Sequence, residues 1–326
     1  MLVDQFNRIH DYLRISLTDN CNFRCTYCMP EEKIQCLPTN QLMQVDEIFQ
    51  IAKTFVSLGV KKIRLTGGEP LLRKDFAQIF ESLANLPVQL TLTTNGFWVD
   101  QHIDLFKKTG MKSLNISLDT LDRERFFSIT KRDFFQEVWA NILLLLKEGF
   151  DVKINIVLMK GVNDDEVESF IELTKDLKLH VRFIEFMPFD KNGWDKSKVV
   201  SFDEVMVEVY QKYDVIKLLD EKHDTAKKFA IHGHKGTFAF ITTMSQPFCE
   251  DCNRMRLTAD GKMKNCLFGK DEMDIIGPYR SGQPIESIIQ ESLMKKHAMM
   301  GGQFFGSYLE TEAKDLENRS MIKIGG

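Results

Sequence analysis

Leu13-Arg-Ile-Ser-Leu-Thr-Asp-Asn-Cys21-Asn-Phe-Arg-Cys25-Thr-Tyr-Cys28-Met-Pro30 is the stretch on which the reading of this chain turns. Its first part has the apolar character of a strand, and its second sets three thiols within one short loop. With seven cysteines among 326 residues, C-x-x-x-C-x-x-C would arise by chance roughly three times in a thousand. Three thiolates hold three corners of a four-iron, four-sulfur cluster and leave the fourth iron open to another ligand. Zinc is the competing occupant, but structural zinc takes four ligands, and the fourth would have to be Cys36 or a distant histidine.

A second triplet, Cys249, Cys252 and Cys266, stands at the far end of the chain. The segment between these cysteines reads as a hairpin, with Asp260-Gly261 matching the preferred two-residue turn. Folding there brings Cys266 back opposite about Met255, and period-two alternation places Arg254, Arg256 and Thr258 on one face, Met255 and Leu257 on the other. C-x-x-C with a later cysteine on a hairpin also suits a zinc ribbon, so at this site both metals stay open.

Around the first triplet the pattern alternates strands with helices. Strands are expected at Leu13–Thr18, Lys62–Thr66, Gln89–Thr94, Ser113–Leu118, Val152–Met159 and Val181–Met187. Helices are expected at Asp46–Leu58, Asp75–Leu86, Ile103–Thr109, Arg125–Glu148 and Asp164–Leu177. Six such units with right-handed crossovers make an α/β fold, an incomplete (β/α)6 barrel over residues 1–225, followed by a smaller C-terminal region over 226–326. In parallel barrels the C-terminal strand ends build the site. Thr66-Gly67-Gly68-Glu69-Pro70, Thr93-Thr94-Asn95-Gly96, Ser117-Leu-Asp119 and Phe186-Met187-Pro188 all fall there. From Phe202 to Lys228 no site is recognisable, and the segment reads as a connection.

Forty-three basic against forty-seven acidic residues give a net charge of -4, which offers no general attraction to nucleic acid; an anionic ligand needs a local basic pocket. The start, Met1 to His10, lacks a basic region followed by an apolar run, and the longest apolar stretch is Ile142 to Leu146. Neither secretion nor a membrane span is expected; a cytoplasmic chain with reduced cysteines is.

The stretch around Cys21, Cys25 and Cys28 resembles the signature of the radical S-adenosylmethionine (SAM) superfamily. Cys249 and Cys252, with Asn-Arg-x-Arg after the latter and thirteen residues before Cys266, are similar to the pattern of the GTP 3',8-cyclases of molybdenum-cofactor biosynthesis. Asp4-x-Phe6-x-Arg8, Met159-Lys-Gly-Val-Asn-Asp164, Phe183-Ile-Glu-Phe-Met-Pro188 and the Gly325-Gly326 end carry the same resemblance along nearly the whole chain. Departures are Asn20, where arginine is usual, Phe189-Asp190 ahead of Trp194, and the segment after about His297.

That resemblance implies two [4Fe-4S] clusters, one on Cys21, Cys25 and Cys28 and one on Cys249, Cys252 and Cys266, in a radical SAM barrel whose C-terminal region bears the second. It assigns Tyr27, Gly68, Ser117 and Met187 to SAM. Arg14, Arg64, Thr93, Lys153, Arg254, Met255 and Arg256 go to GTP, with Arg14, Arg254 and Arg256 also catalytic, Thr93 open between SAM and GTP, and Lys62 and Arg182 as weaker candidates. The implied reaction is conversion of GTP to (8S)-3',8-cyclo-7,8-dihydroguanosine 5'-triphosphate. An electron donor and a downstream cyclic pyranopterin monophosphate synthase are the implied partners, and a homodimer is admitted. The diglycine end either reaches into the site or frays. Two rivals stand beside this reading: a peptide-modifying radical SAM enzyme with an auxiliary cluster, and a non-catalytic zinc-binding protein.

Overall fold

A computed structural model describes residues 1–29, 36–304 and 306–325. Pro30 and Gly326, both quoted in the motifs above, lie outside the described residues.

All six expected strands form: β1 (Tyr12–Ser16), β2 (Lys62–Thr66), β3 (Gln89–Thr94), β4 (Ser113–Ser117), β5 (Asp151–Leu158) and β6 (Leu179–Glu185). They lie side by side in chain order, each parallel to the next. Between them run α1 (Val45–Ser57), α2 (Phe76–Ala84), α3 (Ile103–Lys108), α4 (Arg123–Thr130), α5 (Phe135–Lys147) and α6 (Val167–Asp176). Period-two alternation explains how each strand faces two environments. In β5, Val152, Ile154, Ile156 and Leu158 are buried in the core while Lys153 and Asn155 take the other face; in β6, Leu179, Val181 and Phe183 pair off in the same way against His180 and Arg182. Burying each large apolar side chain of this kind stabilises the fold by about 1.5–3 kcal/mol.

The long helix expected over Arg125–Glu148 is two helices. α4 stops at Lys131, whose backbone is left-handed (φ 57°), and α5 starts at Phe135. The break has a use, because its freed backbone groups hold the first cysteine loop: Arg24 N donates to Thr130 O (2.9 Å) and Thr26 N to Ile129 O (3.0 Å).

After β6 come α7 (Phe202–Lys212), β7 (Val215–Lys217), β8 (Lys227–Ile231), β9 (Thr237–Ile241), β10 (Arg254–Leu257), β11 (Lys262–Lys264) and β12 (Met273–Asp274). The chain ends through α8 (Ile276–Arg280), α9 (Glu286–Met294) and the short α10 (Met321–Ile324). β9 adds in parallel to β6 and β10 in parallel to β1, so both open edges of the six-stranded barrel are extended. The order among the described residues is β12-β11-β10-β1-β2-β3-β4-β5-β6-β9-β8-β7. Strands from the C-terminal region thus share the barrel's own sheet, and the boundary expected at 225/226 falls inside the antiparallel β7–β8 hairpin.

The β10–β11 hairpin forms where expected, but its loop has three residues rather than two. Thr258 N donates to Lys262 O (2.9 Å), and Gly261 occupies the left-handed position at φ +73°, as in a type I turn with a bulge. A Cβ at Gly261 would also strike the Ile276 side chain at 2.4 Å, so glycine is fixed there twice over. Among the described residues, no helix is long and apolar enough to cross a membrane.

Candidate functional site

Parallel register turns the polar faces of separate strands into continuous rows. One runs Arg256, Arg14, Arg64 and a second runs Arg254, Tyr12, Lys62 across β10, β1 and β2. On the other side of the barrel the rows are Asn115, Lys153, His180 and Ser117, Asn155, Arg182 across β4, β5 and β6. These side chains, Ser117 excepted, line a cavity of about 800 Å³. Cys249, Cys252 and Cys266 line it too, so one chamber joins the seven lysines and arginines of these rows to the second cysteine triplet.

Burial and mutual repulsion mark that wall as a place for anions. Lys153 is pushed down to about 8, first by burial and then by Arg182, Lys62 and Arg64. Arg182 is lowered to about 9 and Arg256 to about 10, again chiefly by burial, and Arg14 well below its ordinary value with Arg256 as the next cause. Arg182 Nε and Nη2 have no hydrogen-bond partner among the described residues, nor do Asn115 Oδ1 and Asn155 Oδ1. Buried polar atoms left in this state accept a bound ligand as the partner they lack. Tyr12 hydrogen-bonds to Arg64 Nε; burial alone would raise its phenol, yet Arg64, Arg14 and Lys62 bring it to about 7.

The first triplet sits at the C-terminal end of β1, outside the residues that line this cavity. Its loop is fastened from three sides. Gly68 N donates to Thr18 O (2.6 Å), Glu69 N to Asn20 O (2.8 Å), and Asn95 Nδ2 to Asn22 Oδ1 (2.8 Å). Glu69 in turn takes bonds from Thr94 Oγ1, Asn95 N and Leu71 N, which ties the strand ends of β2 and β3 together. A Cβ on Gly67 or Gly68 would meet Thr18 O at 2.7 Å or Asn20 O at 2.2 Å, so the two glycines let one main chain pass against the other. Tyr27 donates to Asp119 Oδ2 at 2.7 Å, joining the cysteine loop to the end of β4.

No cysteine of either triplet is in a disulfide. Burial raises Cys21 and Cys28 to about 12 and Cys25 well above its usual value, with neighbouring Glu69, Asp119 and the other thiols adding to the effect. Three thiols beside two buried carboxylates fit a multiply charged metal centre, which supplies the positive charge their ionisation needs. At the second triplet, burial opposes ionisation of Cys252, but Arg254 and Lys296 bring it down to about 6. Among the described residues no three His, Cys, Asp or Glu side chains gather as a site for a single metal ion.

The other residues singled out from sequence divide by position. Arg14, Arg64, Lys153, Arg254, Arg256 and Met187 line the cavity, as do the weaker candidates Lys62 and Arg182. Thr93 is the register partner of cavity-facing Asn115 but does not itself line the cavity; it accepts from Arg64 Nη1 at 3.2 Å. Met255 has its side chain fully buried in the core, on the face of β10 opposite the two arginines, which leaves its main chain for a ligand. The C-terminal tail does reach the site, since Gly325 O accepts from Arg256 Nη1 at 2.8 Å and the tail packs against Ser16 and Thr66.

Sequence reasoning missed Tyr12, Asn115, Asn155 and His180, which share strand faces or register rows with Arg14, Lys153 and Arg182. It also missed residues 221–226, which form one wall of the cavity from within the segment read as a connection. No local pattern marks those residues; only the β7–β8 hairpin beside β9 brings them there.

Comparison with known proteins agrees with this geometry. Residues 15–174 match the Radical SAM superfamily and residues 179–301 match Molybdenum Cofactor Synthesis C. GTP 3',8-cyclase, mitochondrial, of Arabidopsis thaliana is 45% identical over 100% of this chain and 84% of its own length. GTP 3',8-cyclase of Thermodesulfovibrio yellowstonii is 42% identical over 99% of each chain. Human molybdenum cofactor biosynthesis protein 1 is 42% identical over 99% of this chain but 51% of its own length, so the chain spans about half of that longer relative. Among solved structures, Streptococcus suis SuiB bound to S-adenosylmethionine shares the fold, with a TM-score of 0.57 at 15% identity over 86% of this chain and 68% of that one. With a cluster loop and a cationic chamber built on that barrel, and with identity this high over nearly the whole of this chain, the chain belongs to the GTP 3',8-cyclase family of radical SAM enzymes.

Proposed function

We propose that this chain converts GTP to (8S)-3',8-cyclo-7,8-dihydroguanosine 5'-triphosphate in molybdenum-cofactor biosynthesis, with SAM and two [4Fe-4S] clusters as cofactors. The observation that carries the reading is the single chamber in which eight buried or half-buried cations and the second cysteine triplet face one ligand-sized space. Cys21, Cys25 and Cys28 would hold one cluster, and Tyr27, Gly68, Ser117 and Met187 the SAM beside it. Bound there, the pair would supply the 5'-deoxyadenosyl radical needed to take the 3' hydrogen of the ribose. Cys249, Cys252 and Cys266 would hold the second cluster, at the end of the chamber where the guanine belongs.

The chain's own groups do the rest. Lys62, Arg64, Lys153 and Arg182, from the β2 and β5–β6 walls, hold the triphosphate by charge-assisted hydrogen bonds. Arg182 contributes two donors that have no other partner among the described residues. Arg14, Arg254 and Arg256 lie on paired strands next to the second triplet, where they orient the purine and the ribose so that carbon 3' faces carbon 8. Gly325 O accepts from Arg256 Nη1, which ties the C-terminal tail to a residue of the chamber wall. Low solvent access around a radical is itself protective, because it keeps side reactions out. An electron donor and a synthase that consumes the cyclised nucleotide are the partners this chemistry requires.

Anaerobic reconstitution with iron and sulfide, followed by SAM, GTP and dithionite, tests the proposal by mass spectrometry. GTP-dependent formation of both 5'-deoxyadenosine and the cyclised nucleotide is expected. 5'-Deoxyadenosine without change in GTP would leave the radical SAM core standing and the substrate wrong, which is where the peptide-modifying reading would return. Zinc in place of iron and acid-labile sulfide would sink the enzymatic reading altogether.

A further inference from the structure

Lys296 is among the most deeply buried charges in the protein, only 2% exposed. It follows α9 and turns inward, where Nζ donates to three acceptors: Asn265 O at 2.7 Å, Arg254 O at 3.2 Å and Cys252 Sγ at 3.6 Å. Two of these are neutral carbonyls, and none is a carboxylate. A buried ammonium without a counter-charge costs several kcal/mol, so a negative group must stand where the sulfur is. A cysteine that ligates a metal is deprotonated outright and meets that need.

The backbone that carries Lys296 is held as firmly as its side chain. Gln5 Nε2 donates to Lys296 O (2.9 Å), while Arg8 donates through Nη2 to His297 O (2.9 Å) and through Nη1 to both Ala298 O and Cys249 O (2.8 Å each). Arg8 is itself fixed by Asp4, which also pairs with His10. The amino-terminal hook that precedes β1 therefore clamps the Cys249 loop to the Lys296 turn and sets the ammonium against Cys252.

We propose that Lys296 is a positioning residue that tunes the second cluster: its fixed buried charge stabilises the more negative oxidation state of the iron-sulfur centre on Cys249, Cys252 and Cys266. This rests on the two-cluster reading above. Reduction adds one electron, from dithionite in the test, to the cluster; the ammonium exchanges no proton and forms no bond. Outer-sphere donors to a ligating sulfur are among the levers that set such potentials.

The test uses the full chain with Cys21→Ser, Cys25→Ser and Cys28→Ser, so that only the second triplet takes iron, and follows its redox titration by electron paramagnetic resonance. Lys296→Gln keeps donors for the carbonyls and removes the charge. It is expected to shift the reduced-to-oxidised ratio at a given potential about tenfold toward oxidised, equivalent to 59 mV for one electron. Lys296→Arg should stay near the parent, and iron uptake by Lys296→Arg but not Lys296→Gln would also support a role for the charge. A loaded Lys296→Gln with an unmoved midpoint overturns the proposal. So does a Lys296→Arg variant shifted as far as Lys296→Gln, or failure of both to load, since each makes the side chain a tie for the loop only. Absence of iron from the second triplet of the parent overturns the two-cluster reading, and this proposal with it.

Discussion

Replacing Gly68 with alanine puts a methyl group where the main chain of the cluster loop already runs. Its Cβ would lie 2.2 Å from Asn20 O, 2.6 Å from Asn20 C and 3.1 Å from Asp19 C. These atoms cannot rotate aside as a side chain could, so the β2 end and the cluster loop must separate by roughly 1 Å to restore ordinary contact. Separation stretches the bonds from Gly68 N to Thr18 O and from Glu69 N to Asn20 O. Overpacking costs about 1–3 kcal/mol and a lost hydrogen bond about 1 kcal/mol, so about 3 kcal/mol is expected. At roughly 2.1 cal/mol/K of unfolding entropy per residue, that lowers Tm by about 4–5 °C in a chain of this length. Gly110→Ala is the control: it has φ +71° with nothing within 4 Å of its Cβ, and so carries only the left-handed backbone penalty of about 1–2 kcal/mol. Thermal melts of the iron-free chains, followed by calorimetric SAM binding after anaerobic reconstitution, compare the two. Gly68→Ala should melt below Gly110→Ala and lose SAM affinity by about tenfold, equivalent to 1.4 kcal/mol. If Gly68→Ala melts with the control and binds SAM like the unaltered chain, the close approach of these segments does not organise the site.

Lys153, held down to about 8, should take up a proton when a triphosphate binds near pH 8. Calorimetry of GTP binding in buffers of different ionisation enthalpy measures this uptake, and unchanged uptake in Lys153→Met would refute it. In the ligand-free chain the same lysine binds fewer protons folded than unfolded between about 8 and its ordinary value of 10.5, so its contribution to stability rises with pH across that window. Arg319 holds Asp260 by two bonds of 2.9 and 3.0 Å and also reaches Glu272, anchoring the tail that ends in α10. Arg319→Ala should speed amide hydrogen exchange at residues 321–325, and unchanged exchange there would show that the tail is held by other contacts. Cys36 Sγ rests 3.7 Å from Asp19 O and from Asn20 Oδ1, beside the first loop but tied to its backbone and an amide. Cys36→Ala should retain the full iron content of the unaltered chain, and loss of iron would make Cys36 a ligand.

Strands β1 to β6 were legible because each is a short apolar run ending in a glycine, proline, asparagine or aspartate signal, and their boundaries shift by two residues at most. The break between α4 and α5 was not, because Thr130 to Phe134 contains no glycine or proline; the helix ends there to give its carbonyls to the Cys21 loop, a tertiary demand. The same limit hid the joining of β9 and β10 to the barrel edges. Pairing between residues far apart in sequence leaves no local trace, and β10 reads simply as half of a hairpin. Among site residues, cysteines announced themselves by spacing. Arg14, Lys153 and Arg182 entered through the family resemblance, whereas Tyr12 and the two asparagines pass as ordinary strand residues until register aligns them with the cations.

That alignment also explains how an acidic protein comes to hold a polyanion. With a net charge of -4 the surface offers no long-range pull on a nucleotide, so selectivity must arise inside the chamber. There the sheet forces Arg256, Arg14 and Arg64 onto one row, and Lys153 and Arg182 onto adjoining rows, at strand spacing and with burial already opposing their charge. No rearrangement of a rigid parallel sheet moves these groups apart. In the free chain burial first, and that repulsion second, lower the pKa values of Arg14, Lys153, Arg182 and Arg256, and only a ligand with several negative charges relieves all of it at once. A nucleoside monophosphate would neutralise part of the wall and leave the remainder buried and opposed. Triphosphate selectivity is therefore expected to weaken as Lys62, Lys153 and Arg182 are removed in turn, most of all for GTP and least for GMP. Equal losses for GTP and GMP in competition binding would show that the row acts on the base or ribose instead.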